Sequence, residues 1–597
     1  MTNTGQVPVE YIYAFLIYSS HTTFVSASPQ ANVVGQSINW PSYQRLAPGA
    51  ALTYRATVKM RMDILTDTPV ESQALVSALG VDQIKIDHTL IVHPVPDLTI
   101  SDAQVIQVVS PGSTQGVDSP IPMIEGKHTA VRVTVGTHSL SSVPDVTGQL
   151  CYEDPARGAW GCTTPDNGPF LAPSSPDLAD NDDTLNFFLP TNYLHGEVRW
   201  WVELNSDHRV RERDYTNNRW PQNPNEKKVI HFQAARPYRI AYMPIGWAPT
   251  SANPLTYPSD DIANYDDLLT RLYPLDPTTT EYDQLSAGVM YGDDWDALMA
   301  ALNAQWDYLR IHDPEGAPDQ LFAWLPDSIC GYGGISDPTW AGGRAVVSFG
   351  NESIGGVVMA HEMGHNLGPY HPCEDSAWPY GGDYDIQTIG FDPYESHYGS
   401  GVGVQGVNTS ELMTGGHCGE SGYETKWLSP YIYKKFISAL APAATATAAA
   451  APALSAAAGQ QLLLVNGAVR DDRLDLFASY QVTLPQTVTL PRPPAGQQFC
   501  VALRDGSGAD LDRYCFDKPE RGTSFLGGDF ARSFSLPFVY NPNTAELVAW
   551  EQAGRGWRAA SSARTRRKSR PCSPTAVRPS PSRPRLPGPP ATSTGTP

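Results

Sequence analysis

Along most of this chain the apolar residues come in short runs, broken by Gly, Pro, Asn and Asp, rather than at helical spacing. Residues 52–60 and 84–92, rich in Val, Ile and Thr, read as strands, and residues 1–94 as an N-terminal β-domain. The pattern repeats through 128–135, 185–189, 198–204 and 228–232, which predicts a second β-sandwich over 95–235. It changes at Tyr238. A strand over 238–244 is followed by a helix over 260–273. A longer helix over 293–312 follows, with Trp295, Leu298, Met299, Leu302, Trp306 and Leu309 on one stripe. Strands over 320–325 and 345–349 then lead into the apolar helical segment 353–367. Alternating strands and helices predict an α/β (α+β) domain over 236–441. An Ala, Pro and Thr linker over 442–460 precedes a C-terminal β-domain over 461–551. The fold class expected is therefore multi-domain, with all-β sandwich domains flanking one α/β domain.

Composition sharpens this. Lys and Arg number 41 against 62 Asp and Glu, a net charge of −21, the wrong sign for a nucleic-acid partner. Residues 11–18 are too short an apolar run to span a bilayer. The charge-free run 436–469 carries Pro442 and Pro452 among alanines and reads as a linker, so no membrane span is expected. The first Lys or Arg is Arg45, so no signal peptide is visible in the chain. Residues 552–597 hold nine Arg, one Lys and no acid among Pro and Ser. That composition predicts a disordered basic tail, to which no function is assigned.

The eight cysteines separate by spacing. With Ser507 and Gly508 as a two-residue turn, Cys500 falls opposite Cys515 and Asp505 opposite Asp510. Cys151 and Cys162 flank another turn-rich segment, and Cys373 and Cys418 bracket the histidine motif described next. Cys330 and Cys572 are left over. Three such pairs point to an oxidising compartment and hence to a secreted, extracellular protein.

The chemistry sits in His361-Glu362-Met363-Gly364-His365-Asn366-Leu367-Gly368-Pro369-Tyr370-His371. His361 and His365 project from one face of a helix and can share a Zn²⁺ at roughly 2.0–2.1 Å. Gly368 permits a positive-φ reversal and Pro369 stops the helix, so His371 can fold back as third ligand. Glu362 lies beside the ligand face, placed to accept a proton from an attacking water and return it to a leaving amine. Gly356, Met359, Ala360, Met363 and Leu367 suggest that the other face is buried.

This HExxHxxGxxH run resembles the zinc motif of the metzincin metallopeptidases. The resemblance covers residues 236–441. It implies a two-lobed catalytic domain with one catalytic zinc, a polypeptide substrate and a methionine turn beneath the metal. Ser410-Glu411-Leu412-Met413-Thr414-Gly415 is similar to that turn, with Met413 as its methionine, and Trp427-Leu428-Ser429-Pro430-Tyr431 looks like the start of the closing helix. Gly415 stands where some members carry a Tyr, which leaves His417, Tyr423 or Tyr398 as alternatives for steadying an oxyanion. No cysteine-switch segment is recognisable before Tyr238. A Cys373–Cys418 bridge would tie the ligand loop to the methionine turn. Gly381-Gly382-Asp383-Tyr384-Asp385 offers carboxylates for Ca²⁺ or else forms a solvated loop. Ahead of the catalytic segment, Asp214-Tyr215-Thr216-Asn217-Asn218 resembles the immunoglobulin-like CARDB modules of exported bacterial proteins.

These observations lead to the expectation of a secreted zinc metalloendopeptidase. Its sheet edge at 345–349 would pair with extended substrate, and its β-domains would dock on matrix or cell surfaces. Two alternatives stay open: a surface adhesin with a non-catalytic zinc site, and a zinc hydrolase of a non-peptide amide.

Overall fold

The structure is a computed structural model. It describes residues 1–559 except 62–63, 65–66, 94, 111–120, 139–141, 260, 330–333, 337–346, 353–354, 394–402, 416–417, 419–425, 442–452, 471–472, 518–522, 525–531 and 554–555. It is rich in β-structure, distributed over several sheets with few helices. Among the described residues no helix is long and apolar enough to cross a membrane.

The first sheet places Val9–Ile17 beside Thr68–Ala78, which pairs in turn with Val81–Val92 at an open edge. Thr22–Ser28 and Arg55–Met60 form the facing ribbon over Ile38 and Trp40. In the second unit Ala130–Gly136 lies between Thr99–Ile106 and Leu185–Phe188, while Gly148–Asp154 and Glu197–Leu204 belong to another sheet. Alternate residues of the two sheets, among them Val131, Val133, Phe187, Leu150, Trp200 and Val202, meet in one core. Buried Glu212 accepts from the Leu98 backbone N–H at 2.9 Å and from Asn205 and Asn218 at 2.5 Å each, so the 212–218 corner is braced to the first strand.

The third unit is built on a mixed sheet. Thr280–Gln284, Tyr238–Ala248, Gln320–Leu325 and Val347–Asn351 run parallel, followed by Gly334–Ser336 and then Thr523–Ser524, both antiparallel. Its strands read as continuous apolar runs because both faces are covered. Ile240, Tyr242, Phe322 and Trp324 face helices α1 (Asp266–Leu272) and α3 (Gly356–Asn366). Ala241, Leu321, Ala323 and Phe349 face α2 (Trp295–His312), whose Trp295, Leu298, Met299, Leu302 and Trp306 form the expected stripe. The Asp294 side chain caps α2 by accepting from the Ala297 N–H. The helix expected over 260–273 is shorter: a 3₁₀ turn at Ile262–Tyr265 precedes α1.

Neighbouring units share apolar surface with this sheet. Val108, Val109 and Ile121 of the second unit join the core under α3, and Lys127 donates its Nζ protons to the carbonyls of Thr270 and Arg271 at the end of α1. Burial pulls the Lys127 ammonium down to about 7, against the attraction of Asp392.

Four expectations are corrected. The strand at 345–349, observed as Val347–Asn351, is interior rather than an edge, because Gly334–Ser336 returns antiparallel outside it. The linker over 442–460 ends early, since Ala453–Ala456 pairs with Val488–Pro491; residues 442–452 lie outside the described residues. The C-terminal β-unit runs past 551, with Glu546–Ala553 and Gly556–Ala559 forming a hairpin, and the tail from 560 onward lies outside the described residues. Cys500 does face Cys515, but a register shift after Leu503 puts Arg504, not Asp505, opposite Asp510. The Arg504 guanidinium then donates to that carboxylate at 2.7 Å, where two aspartates would have repelled.

Candidate metal centre

Helix α3 is preceded by Gly355, whose φ of 65° suits glycine, and is buried along almost its whole length. It ends as the sequence suggests. Gly368 has φ +108°, and the N–H groups of Leu367 and Gly368 close on the carbonyls of Gly364 and His365 at 2.9 Å each. The chain reverses there and brings His371 back over the helix.

The ring nitrogens of His361, His365 and His371 converge, with the three residues 0%, 0% and 1% exposed. Nε2 of His361 stands 2.9 Å from Nε2 of His365 and 3.3 Å from Nε2 of His371. Each Nδ1 faces an acceptor outside the cluster: Leu412 O at 2.8 Å, Pro369 O at 2.9 Å and Glu374 Oε2 at 3.1 Å. That arrangement assigns the proton to Nδ1 in all three rings and turns three Nε2 lone pairs toward one another. Three lone pairs so close repel unless a cation lies between them, and tetrahedral zinc–nitrogen geometry calls for a spacing of about 3.3 Å. The donor set therefore fits a divalent metal ion. Among the described residues this is the one group of three or more His, Cys, Asp or Glu side chains with converging ligand atoms.

Glu362 is completely buried on the same helix. Strand Gly334–Ser336 crosses directly over it: a Cβ on Gly334 would lie 2.7 Å from Glu362 Cγ and 2.8 Å from Oε1. Only glycine lets that strand come so close.

Below the histidines, Leu412–Thr414 forms a single 3₁₀ turn with Met413 fully buried. Glu411 fixes it to α4 (Pro430–Leu440), accepting from the Ser429 N–H at 2.6 Å and the Met413 N–H at 3.5 Å. Burial pushes the Glu411 carboxyl up to about 7, with the Ser429 hydrogen bonds opposing. Cys373 and Cys418 are bonded, as are Cys151 with Cys162 and Cys500 with Cys515. Asp375, just beyond Cys373, accepts from Tyr431 Oη at 2.9 Å and Lys435 Nζ at 2.6 Å, so the ligand loop is also held to α4.

Three supporting residues escaped the sequence reading. Glu374 lies three residues after His371, a spacing that could have signalled it; Glu411 and Gly334 carry no sequence signal of their own. Asp383 Oδ1 accepts the Asp385 N–H at 3.1 Å, and no third carboxylate gathers there among the described residues. His417, Tyr423, Tyr398, Cys330 and Cys572 lie outside the described residues. No protein-family model and no curated protein matches the chain.

Proposed function

We propose that this chain is a secreted zinc metalloendopeptidase of the metzincin type, acting on polypeptides outside the cell. The observation that carries this reading is the triad itself: three buried Nε2 atoms aimed at one point, with Glu362 one residue along the same helix. Structural zinc sites generally close with four protein ligands, often Cys, whereas three His with an adjacent carboxylate suit a catalytic site with a position left for water. A zinc ion held by His361, His365 and His371 would supply a Lewis acid and a water acidic enough to attack a peptide carbonyl at neutral pH. Glu362 accepts the proton of the attacking water and passes it to the departing amine nitrogen. Its burial excludes bulk solvent from that transfer. Strand Gly334–Ser336 would orient an extended polypeptide beside Glu362. The β-rich units before and after would dock the enzyme on matrix or cell surfaces, the 95–235 unit in the manner of a CARDB module. The three disulfides support an oxidising, extracellular setting.

The test pairs metal content with cleavage of an unfolded polypeptide, for wild type and Glu362→Ala, with and without chelator. One zinc per chain in both proteins, with cleavage confined to chelator-free wild type, is the expected result. A folded wild type that takes up no zinc would sink the reading.

A further inference from the structure

Strand Gly334–Ser336 has two sides. One is engaged by Val347–Asn351, with Gly334, Ile335 and Ser336 opposite Gly350, Phe349 and Ser348. The other is the side on which a polypeptide would be added, and the strand's first residue, Gly334, packs against Glu362. That side is already taken within the chain: Ile335 pairs with Ser524 and Ser336 with Thr523, antiparallel. The added strand also lies near helix α3 itself.

Two backbones cannot use one ladder of N–H and C=O groups. We propose that Thr523–Ser524 of the C-terminal unit is an intramolecular competitor seated on the substrate edge, so that the C-terminal unit restrains the zinc site. This rests on the peptidase reading above and adds its regulation.

Two features favour a competitor over an accident of folding. First, the segment is tethered at both ends to fixed structure. It lies between Asp510–Phe516, stapled by Cys500–Cys515, and Arg532–Val539, which packs on α2 and whose Ser535 Oγ donates to buried Asp307. Ile311 of α2 is buried among Leu462, Leu464, Leu484 and Leu490 of the same unit. Tethering makes edge occupation an intramolecular event at high effective concentration. Second, among the described residues the ladder is two residue pairs long. A longer extended polypeptide can therefore displace it, which restrains the site without closing it.

The prediction is kinetic. An intramolecular occupant lowers the fraction of competent enzyme for binding, so it raises KM and leaves kcat alone once substrate has displaced it. In the full-length protein, Thr523→Pro with Ser524→Pro removes both backbone donors from the added strand. With zinc content and melting temperature matching wild type, KM for an unfolded polypeptide should fall roughly 3- to 30-fold at constant kcat. A KM that is unchanged, or that rises because substrate needs this strand as a platform, overturns the proposal.

A second measurement needs no proline. In full-length, zinc-loaded Glu362→Ala, saturating unfolded polypeptide should speed hydrogen exchange at the amides of Thr523 and Ser524 while keeping Ile335 and Ser336 protected. If polypeptide binds and the Thr523 and Ser524 amides stay protected, the segment is no competitor. Zinc-loaded protein that binds polypeptide but cleaves nothing would count against the peptidase reading alone, and the exchange result would still decide edge occupation.

Discussion

Gly364 and Met413 are built for each other: a Cβ at 364 would lie 2.7 Å from Met413 Sδ and 3.1 Å from Phe436 Cζ. The glycine between the two helix histidines thus lets the Leu412–Thr414 turn press against α3, where the Leu412 carbonyl also receives the His361 Nδ1 proton. Gly364→Ala should destabilise by about 1–3 kcal/mol through overpacking. Met413→Ala, which opens a cavity, should cost about 2–5 kcal/mol. The added methyl fills part of that cavity, so the double variant should be more stable than the sum of the two losses allows. Denaturant unfolding of all four proteins measures this coupling, and strict additivity would show that the two residues do not share the space.

Glu374 is the carboxylate that orients His371. Glu374→Gln keeps an oxygen acceptor but removes the charge, and Glu374→Ala removes both. Loss of such a partner typically costs 10- to 100-fold in metal affinity. Zinc competition with a chromophoric chelator should show a weakening of roughly that size for Glu374→Ala and a smaller one for Glu374→Gln. Equal affinities for wild type and Glu374→Ala would mean that the 3.1 Å contact does not hold the ring.

The helix and its ligand bend were legible because their causes are local. The His spacing fixes a shared face, and Gly368 with Pro369 fixes the reversal, observed as φ +108°. The stripe on α2 and the cysteine pairing across 500 and 515 are local in the same sense. What stayed hidden is long-range pairing. Nothing in Val347–Asn351 says that Gly334–Ser336 will fold back outside it, since an interior strand and an edge strand covered on both faces carry the same apolar run. Nor does Thr523–Ser524 advertise a partner almost two hundred residues earlier in the chain. The single-residue shift after Leu503 was missed for another reason: the Asp505 side chain organises its own turn by accepting from Ser507 and Ala509, which moves it out of the ladder.

The Cys373–Cys418 bridge closes a loop of 45 residues that starts two residues after His371 and includes the Leu412–Thr414 turn. Chain-entropy arguments put its removal, as Cys373→Ser with Cys418→Ser, at about 4 kcal/mol. Because the ligand loop is also held by Asp375 to Tyr431 and Lys435, the variant should still fold and bind zinc. Its midpoint in urea should shift while the slope stays nearly constant. A variant that binds no zinc would show instead that the bridge, rather than the Asp375 contacts, places His371.

Asp307, which accepts from Ser535 of the C-terminal unit, should make stability depend on pH. Its carboxyl is 5% exposed, and burial pushes it up to about 6, although the Ser535 hydroxyl and Arg310 act in the opposite direction. In the unfolded chain an aspartate titrates near 4. Between about pH 4 and pH 6 the folded protein therefore holds a proton that the unfolded chain has released, so this group's contribution to stability falls as pH rises through that window and levels off above it. Two pH units correspond to at most about 3 kcal/mol. Asp307→Asn keeps a polar partner for Ser535 and cannot ionise. The difference in melting temperature between wild type and Asp307→Asn should therefore move against wild type from pH 4 to pH 6 and stay constant from pH 7 to pH 8. A difference that is flat across the whole range would place the Asp307 titration no higher than that of the unfolded chain. It would also remove any reason to expect the Ser535 contact to loosen when the carboxyl ionises.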